Sequence, residues 1–386
     1  MIPLRYNIRS LLVRRTTSLM TAMGVALVVM ILLMLSGFIA GLRQTFASAG
    51  AGGNFIVLAR GVTSESGSYI SREQFEVIRS RPEIVTDPKG EAMLSPEFLT
   101  GFMIEGPSGT MNGFTMLRGV YPIAQRVHQA IRIESGRWPT RGASEMVVGK
   151  KLAMRAPNLT PPHQIRFGRR MWTIVGVFSD GGSARESEMW TDLDVLEQDT
   201  HYANGFAALH LRLRPGMEDS FKRALDNDQR LRVDAETEAE FYANASDFAD
   251  QLRGLGLIVA IILGVGATFG GINTMYAAVA RRGKEVGVLR ALGFSRRNVL
   301  FSFIAESILI GLAGGVIGLG LGVLVATATG LNGRLMSVGM FIFSFKLTAG
   351  AFISGLIVAI LIGAIGGFLP ALRAARIGVV DSLRAA

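Results

Sequence analysis

Glu306 is the one ionisable residue that the pattern of this sequence places inside a long apolar run. A carboxylate in such a setting is a functional candidate, as a proton relay or an ion ligand. It lies about two helical turns from the basic end of its run, so a structural role, reaching the interface or pairing with a basic neighbour, is the simpler reading, and proton coupling would normally need more than one such group. The second chemical concentration is ARRGKEVGVLRALGFSRRNVL, residues 280–300. It carries Arg281, Arg282, Lys284, Glu285, Arg290, Arg296 and Arg297. Val286, Leu289 and Gly293 fall at helical spacing, as do Val288 and Leu292. A short, basic, amphipathic helix between two apolar runs is suited to docking another protein.

The usual catalytic constellations are missing. There is no G-x-x-x-x-G-K-[ST], and Gly149-Lys150 is followed by Lys151 without the upstream glycine, so no nucleotide is expected to bind this chain through a P-loop. No G-x-S-x-G elbow and no H-E-x-x-H helix occurs. His128, His163, His201 and His210 have no metal-ligand spacing and read as surface or structural residues. Asp192 and Asp194 are close only in sequence. The chain has no cysteine, which excludes disulfides and thiolate chemistry. No catalytic, cofactor or metal site is expected, and the chain reads as a non-catalytic subunit.

The elements around these residues are membrane spans. Hydrophobic residues make up 49% of the chain and charged residues only 18%, too apolar for an ordinary soluble protein. Residues 16–42, 254–280, 307–333 and 347–372 contain no Asp, Glu, Lys or Arg, and about 20 apolar residues suffice to cross a bilayer. The net charge of +10 is uneven. Residues 44–250 carry 23 basic and 27 acidic side chains, the remainder 17 and 3. Positive charge flanks the spans, so topology explains it better than nucleic acid, for which nothing else speaks. By the positive-inside rule both termini and residues 281–298 are cytoplasmic.

The expected organisation is therefore an amphipathic elbow helix at 1–17, where Leu4, Ile8, Leu11 and Leu12 oppose Arg5 and Arg9; a first span at 18–43; an extracytoplasmic mixed α/β domain at 44–250; a second span at 251–280; the basic loop at 281–298; a third span at 299–330; a short outer loop at 331–346; a fourth span at 347–370; and a tail at 371–386. Ala47-Ser48-Ala49 resembles a cleavage site, but the preceding apolar run is too long for a signal core.

Within 44–250, Asn54–Arg60 reads as a strand, Arg72–Ser80 as a helix, and Ile165–Phe178 as two strands around Gly168. Leu209, Leu211 and Leu213 alternate with His210, Arg212 and Arg214, predicting a half-buried strand. Glu218–Leu225 predicts a helix. Phe241, Ala245, Phe248, Leu252 and Leu255 predict an amphipathic helix over 236–255 that runs without a breaker into the second span. It reads equally as a domain helix ending near the bilayer or as a stalk, with Phe241, Phe248 and Leu252 as its stripe. Gly311, Gly314, Gly315, Gly318 and Gly322 in the third span, and Gly363 and Gly367 in the fourth, predict close helix packing, within one subunit or between two.

TMYAAVARRGKEVGVLRALGFSRRNVLFSFIAESILIGLAGGVIGLGLG, residues 274–322, resembles the hallmark of the MacB/FtsX/LolC-type ABC permeases, the mechanotransmission family. PALRAARIGVVDSLRAA, from Pro370, is similar to that family's C-terminal ending, with Val379 where a proline is frequent. SGRWPTRGASEMVVGKKLA and RMWTIVGVFSD also resemble its periplasmic domain. The resemblance implies an α-helical bacterial inner-membrane protein with four transmembrane helices and a large mixed α/β domain between the first two. It implies a second permease copy or a related permease as partner. A separate cytoplasmic ABC ATPase would hold ATP and Mg²⁺, and this chain would hold no cofactor. Glu285, Val286, Gly287, Leu289, Arg290, Ala291, Leu292 and Gly293 match the coupling helix that seats in the ATPase. Export or efflux, or lipid or lipoprotein extrusion, is the implied output, with a periplasmic adaptor or outer-membrane component in tripartite forms. The chain begins at the elbow helix, so the ATPase is expected as a separate polypeptide. An FtsX-like regulator of a periplasmic partner is the alternative within the family, and a secondary transporter the alternative outside it. The substrate is not legible.

Overall fold

A computed structural model of the chain describes residues 11, 15–50, 52–105, 111–200, 205–245, 247–331, 333–338 and 341–376. The expected elbow helix at 1–17 and the tail beyond Arg376 lie largely outside the described residues. The chain divides into a helical unit (Met1–Ala40, Ala249–Arg334, Phe345–Ala386) and a mixed unit (Gly41–Phe248, Leu335–Ser344).

In chain order the helices are α1 (Arg15–Ala49), α2 (Arg72–Arg79), α3 (Ala124–Val127), α4 (Lys150–Arg155), α5 (Leu193–Thr200), α6 (Glu218–Asp226), α7 (Glu238–Ala245), α8 (Asp247–Arg281), α9 (Gly283–Ala291), α10 (Arg296–Ala328) and α11 (Ala349–Arg376). The strands are β1 (Phe55–Ala59), β2 (Ile70–Ser71), β3 (Leu94–Glu105), β4 (Met111–Val120), β5 (Arg132–Gly136), β6 (Glu145–Gly149), β7 (Gln164–Phe167), β8 (Arg170–Ser179), β9 (Glu188–Asp192), β10 (Gly205–Phe206), β11 (Ala208–Leu211), β12 (Val233–Thr237), β13 (Leu335–Val338) and β14 (Phe341–Ser344).

Among the described residues, four helices are long and apolar enough to cross a membrane: α1, α8, α10 and α11. Val25, Val29 and Leu33 of α1 pack with Leu319 of α10 and Ala351, Ala359 and Ile362 of α11. On α8, by contrast, Leu255, Ile258, Ile262 and Phe269 are all more than half exposed. In water such a surface would be strongly unfavourable, whereas lipid or another apolar helix satisfies it.

The mixed unit is built on a ten-stranded sheet in the order β12-β1-β11-β3-β4-β9-β6-β8-β5, with β7 paired to β8. β4 with β9 and β6 with β8 are parallel, and the other pairs are antiparallel. Along β8, Trp172, Ile174, Gly176 and Phe178 are buried while the residues alternating with them are part-exposed, a period-two pattern. The larger core of this unit includes Phe55, Leu94, Leu117, Met146, Trp172 and Leu209. Val120, Val147, Phe178 and Trp190 form a smaller cluster. Gly168 turns β7 into β8 at a φ of 57°, which a side chain would resist. Ser71 and Gln74 form a reciprocal capping box that starts α2.

Three expectations are corrected. β11 is buried along its whole length, His210 included, because it lies inside the sheet between β1 and β3. The helix expected over 236–255 starts only at Glu238. β12 runs through Thr237, and there Thr237 Oγ1 accepts from the Glu240 amide while the Glu240 carboxylate accepts from the Thr237 amide. The loop at 331–346 contains the hairpin β13–β14, which belongs with the mixed unit, where the Ile342 amide donates to Ser187 Oγ at 2.8 Å.

Candidate functional site

The basic segment folds as a short helix with a defined stop. Gly293 adopts φ 95° just past α9, and the amides of Gly293 and Phe294 bond back to the carbonyls of Arg290 and Leu289. A glycine there lets the chain turn left-handed at no steric cost. Ser295 then caps α10, its hydroxyl accepting from the Asn298 amide. The sharp reversal between α9 and α10 is thus written in three consecutive residues, Gly293-Phe294-Ser295.

α9 has two different faces. Val286 is 1% exposed and packs with Met275, Ala278 and Val279 of α8, Val299 and Phe303 of α10, and Ala371 and Ala374 of α11. Gly287 is buried, and Leu289 and Arg290 are half-buried. The Arg290 guanidinium donates to the Ala375 carbonyl at 3.2 Å, where a cation meets the carbonyl end of α11. Lys284, Glu285, Val288, Ala291, Leu292 and Gly293 are exposed, Leu292 to 73%. Of the two apolar sets at helical spacing, Val286 faces the helical unit and Val288 with Leu292 faces away.

Arg282 fixes the start of α9. It is almost fully buried, its Nη1 donating to Glu306 Oε2 at 2.8 Å and its Nε to Glu285 Oε2 at 2.9 Å. Its guanidinium also stacks over the Phe303 ring at 5.2 Å. Glu306 therefore meets a basic partner from the segment preceding α10. Next to it lies a cavity of ≈ 30 Å³ lined by Thr17, Ser18, Thr21, Thr274, Ser307 and others. Thr21 and Thr274 hydroxyls lie 2.9 Å apart there, so the space is polar and of water size.

The glycines of α10 form two stripes. A Cβ at Gly314 would lie 2.5 Å from the Ala22 carbonyl oxygen, and one at Gly318 would collide with the Ala26 carbonyl. Gly322 closes on Leu33 at 2.8 Å, so this stripe meets α1. Gly311 approaches the Ala359 carbonyl and Gly363, and Gly315 approaches Ala359, so the second stripe meets α11. From α11, Gly363 and Gly367 approach Ser307. Small residues let these backbones touch. Of the stalk stripe, Phe241 is buried beside Tyr242 in the mixed unit and Leu252 is half-buried in the helical unit. Phe248 lies on α8, with its side chain outside the described residues.

The mixed unit holds a charge cluster that the sequence did not signal. Arg118 of β4 is 1% exposed and donates to Glu65 Oε2 at 2.5 Å, Glu97 Oε2 at 2.8 Å and Glu188 Oε2 at 2.7 Å. Arg185 donates to Glu238 Oε1 at 2.7 Å and approaches Asp180 at 3.4 Å. His128 meets Glu97, and His210 meets Glu238. Burial alone would raise the Glu65 carboxyl, but the Arg118 charge brings it down to about 2. Burial opposes charge on His210, yet Glu97 and the hydrogen bond to Glu238 raise it to about 9. His128 and His210 are far apart in sequence. They converge because β11 pairs with β3, placing Ala208 opposite Glu97, and α3 ends beside them. The only sequence signal was the histidine inside an apolar strand pattern.

The mixed unit also opens a cavity of ≈ 500 Å³ between Phe75, Tyr121, Phe206 and the arginines 72, 126 and 141. Each of these arginines is already ion-paired, Arg72 with Glu197, Arg126 with Asp87 and Glu91, and Arg141 with Asp194.

Comparison with known proteins gives two family matches along the chain. Residues 18–227 match the MacB-like periplasmic core domain, and residues 257–379 match the FtsX-like permease C-terminal domain. A Macrolide export ATP-binding/permease protein MacB of Bdellovibrio bacteriovorus is 30% identical over 181 residues, which is 44% of this chain and 26% of that relative's length. The uncharacterized ABC transporter permease YknZ of Bacillus subtilis is 26% identical over 283 residues, 66% of each chain. The crystal structure of the periplasmic region of MacB from Actinobacillus actinomycetemcomitans aligns with 53% of this chain and 97% of its own, at 11% identity and a TM-score of 0.38.

Proposed function

This chain belongs to the family of ABC transporter permeases with a MacB-like periplasmic core and an FtsX-like C-terminal half, and from that premise we propose that it is the membrane subunit through which a cytoplasmic ATPase drives a change in an extracytoplasmic domain. In this reading α9 is the coupling helix. ATP and Mg²⁺ are held by a separate ATPase chain, and the permease works as a pair, with itself or with a related permease. The chain lies in the inner membrane with both termini and α9 in the cytoplasm. Its output is export or extrusion of a substrate handled by the mixed unit.

The observation that carries this reading is the division of α9 into two faces. Val286 and Arg282 tie the helix to α8, α10 and α11, while Val288 and Leu292 stay bare. A helix anchored on one face and apolar on the other can pass force from a docked protein into the spans behind it. Exposed leucine and valine beside Lys284 and Glu285 form the mixed apolar and charged surface that docking requires.

The test is Leu292→Arg. The side chain is exposed, so the chain should insert and fold as before. Burying an unpaired charge against the ATPase would be costly, and co-purification of the ATPase and its stimulation by the permease should fall together. Undiminished coupling in Leu292→Arg and in Val288→Arg would sink the assignment of α9.

A further inference from the structure

The two buried histidines of the mixed unit lie side by side, their rings 4.9 Å apart, and they point the same way. Both Nδ1 atoms face Glu238 Oε1, His210 at 2.6 Å and His128 at 3.7 Å. Both Nε2 atoms face Glu97, His128 at 2.7 Å from Oε1 and His210 at 3.6 Å from Oε2. Glu65 Oε2 lies 3.6 Å from the same His210 nitrogen. His128 Nδ1 and His210 Nε2 have no hydrogen-bond partner, although both residues are at most 2% exposed. Orphaned ring nitrogens in a dry core need an explanation.

We propose that Glu97, His128 and His210 bind a divalent transition metal of the zinc type, with Glu65 beside it and Glu238 holding the two rings from behind. Ligand atoms of the three residues lie within 4.8 Å of one another. The 3.6 Å gaps at His210 Nε2 are too wide for hydrogen bonds, and His128 Nε2 and Glu97 Oε1, 2.7 Å apart in a hydrogen bond, would open to about 3.3–3.6 Å around an ion held at about 2.0–2.2 Å. A carboxylate accepting the far N–H is the usual device for aiming a histidine at a metal. Here Glu238 Oε1 holds His210 Nδ1 at 2.6 Å and lies 3.7 Å from His128 Nδ1, which would close on it once the ion is held. His128 donates to Glu97 through Nε2. Moving that proton to Nδ1, which already faces Glu238, frees Nε2 as a ligand.

Charge argues the same way. Glu65, Glu97, Asp180, Glu188 and Glu238 meet Arg118 and Arg185 as ion-pair partners, and Lys151 lies near Asp180, so among the described residues the carboxylates of the cluster outnumber its permanent cations. A bound dication would offset that surplus. Arg118 holds Glu97 Oε2, so Oε1, which accepts from Ser95 Oγ and His128 Nε2, is the oxygen that would turn to the metal. Two imidazoles and a carboxylate, without any thiolate, suit zinc and its neighbours rather than calcium or magnesium. All three ligands are sealed from solvent, so the ion would tie β3, β11 and the end of α3 together rather than act on a substrate.

The experiment uses the full chain, without a polyhistidine tag, purified in detergent from cells grown with added Zn²⁺. Surface metal is stripped with EDTA, and the transition metals are measured by elemental mass spectrometry. One zinc per chain is expected, with X-ray absorption showing two imidazoles. Glu97→Gln and His128→Asn, each checked by size exclusion, should lose the metal. A variant that elutes as wild type and keeps its zinc overturns the site. So does a well-folded wild type that carries no stoichiometric transition metal, in which case protons on the imidazoles balance the carboxylates.

Discussion

Gly318→Ala isolates a single close approach between two membrane helices. An added Cβ would sit 2.9 Å from Ala26 Cα and 3.0 Å from Ala26 C, and nearer still to the Ala26 oxygen. All three are backbone atoms, so no rotamer change relieves them. Carbon atoms prefer about 3.5–4.0 Å, and α10 and α1 must therefore separate locally by roughly that shortfall. Overpacking of this kind costs about 1–3 kcal/mol. Alanine's better helix propensity offsets up to about 1 kcal/mol, so the clash still wins. Gly320→Ala is the control, because a Cβ there meets nothing within 4 Å. On a cooperative bundle, about 2–4 °C is expected per kcal/mol. Thermal unfolding of the detergent-solubilised chain should thus fall by several degrees in Gly318→Ala and stay level or rise slightly in Gly320→Ala. Equal melting of the two variants would refute the close contact. A drop in both would mean that the effect comes from the helix itself rather than from the crossing.

Glu306→Ala should destabilise the chain by about 3 kcal/mol, since it strips a buried guanidinium of one carboxylate; Glu306→Gln, which keeps an acceptor for Arg282, should lose clearly less in the same melting assay, and equal losses would argue against the ion pair. Val286→Asp should lower the yield of folded chain while Leu292→Arg does not, as size exclusion of the two variants would report, because only Val286 is buried. Lys151 gives a pH signature. Its ammonium is buried against Thr45, Gly182 and Ser183, and burial lowers it to about 8 from the ordinary 10.5 despite Glu186 and Asp180. The folded state then sheds this proton before the unfolded state does, so the penalty is complete below pH 8 and fades as pH rises toward 10.5. The stability of wild type relative to Lys151→Met should therefore increase across that window, by at most about 3 kcal/mol, and a flat difference would contradict the burial of the charge.

How far the sequence carries depends on the range of the interactions involved. α1, α8, α10 and α11 were legible because a charge-free run of sufficient length is a local property. Arg72–Ser80, Ile165–Phe178 and Glu218–Leu225 were legible for the same reason, each having its own cap, turn or period. The glycines at 311, 314, 315, 318 and 322 announced close packing, but not that Gly314, Gly318 and Gly322 turn to α1 while Gly311 and Gly315 turn to α11; that depends on how three helices are arranged. β11 was misread as half-buried because period-two alternation reports the polarity of a face and not what covers it. His210 and Arg118 are polar yet buried, and only the sheet order that brings Glu97, Glu65 and Glu238 to them makes this tolerable.

The same limit bears on α9, where it decides how its function is tested. The sequence offered two apolar sets, Val286 with Leu289 and Val288 with Leu292, and a helix this short gives no reason to prefer either as the docking face. The fold breaks the tie through groups outside the helix. Arg282 reaches back to Glu306, Arg290 reaches the Ala375 carbonyl near the end of α11, and between them Val286 is drawn into the gap among α8, α10 and α11. Charged substitutions at Val286 would therefore test folding, and those at Leu289, which is half-buried, would mix folding with docking. Only Val288 and Leu292 are bare enough for a loss of coupling to be read as a loss of contact with a partner.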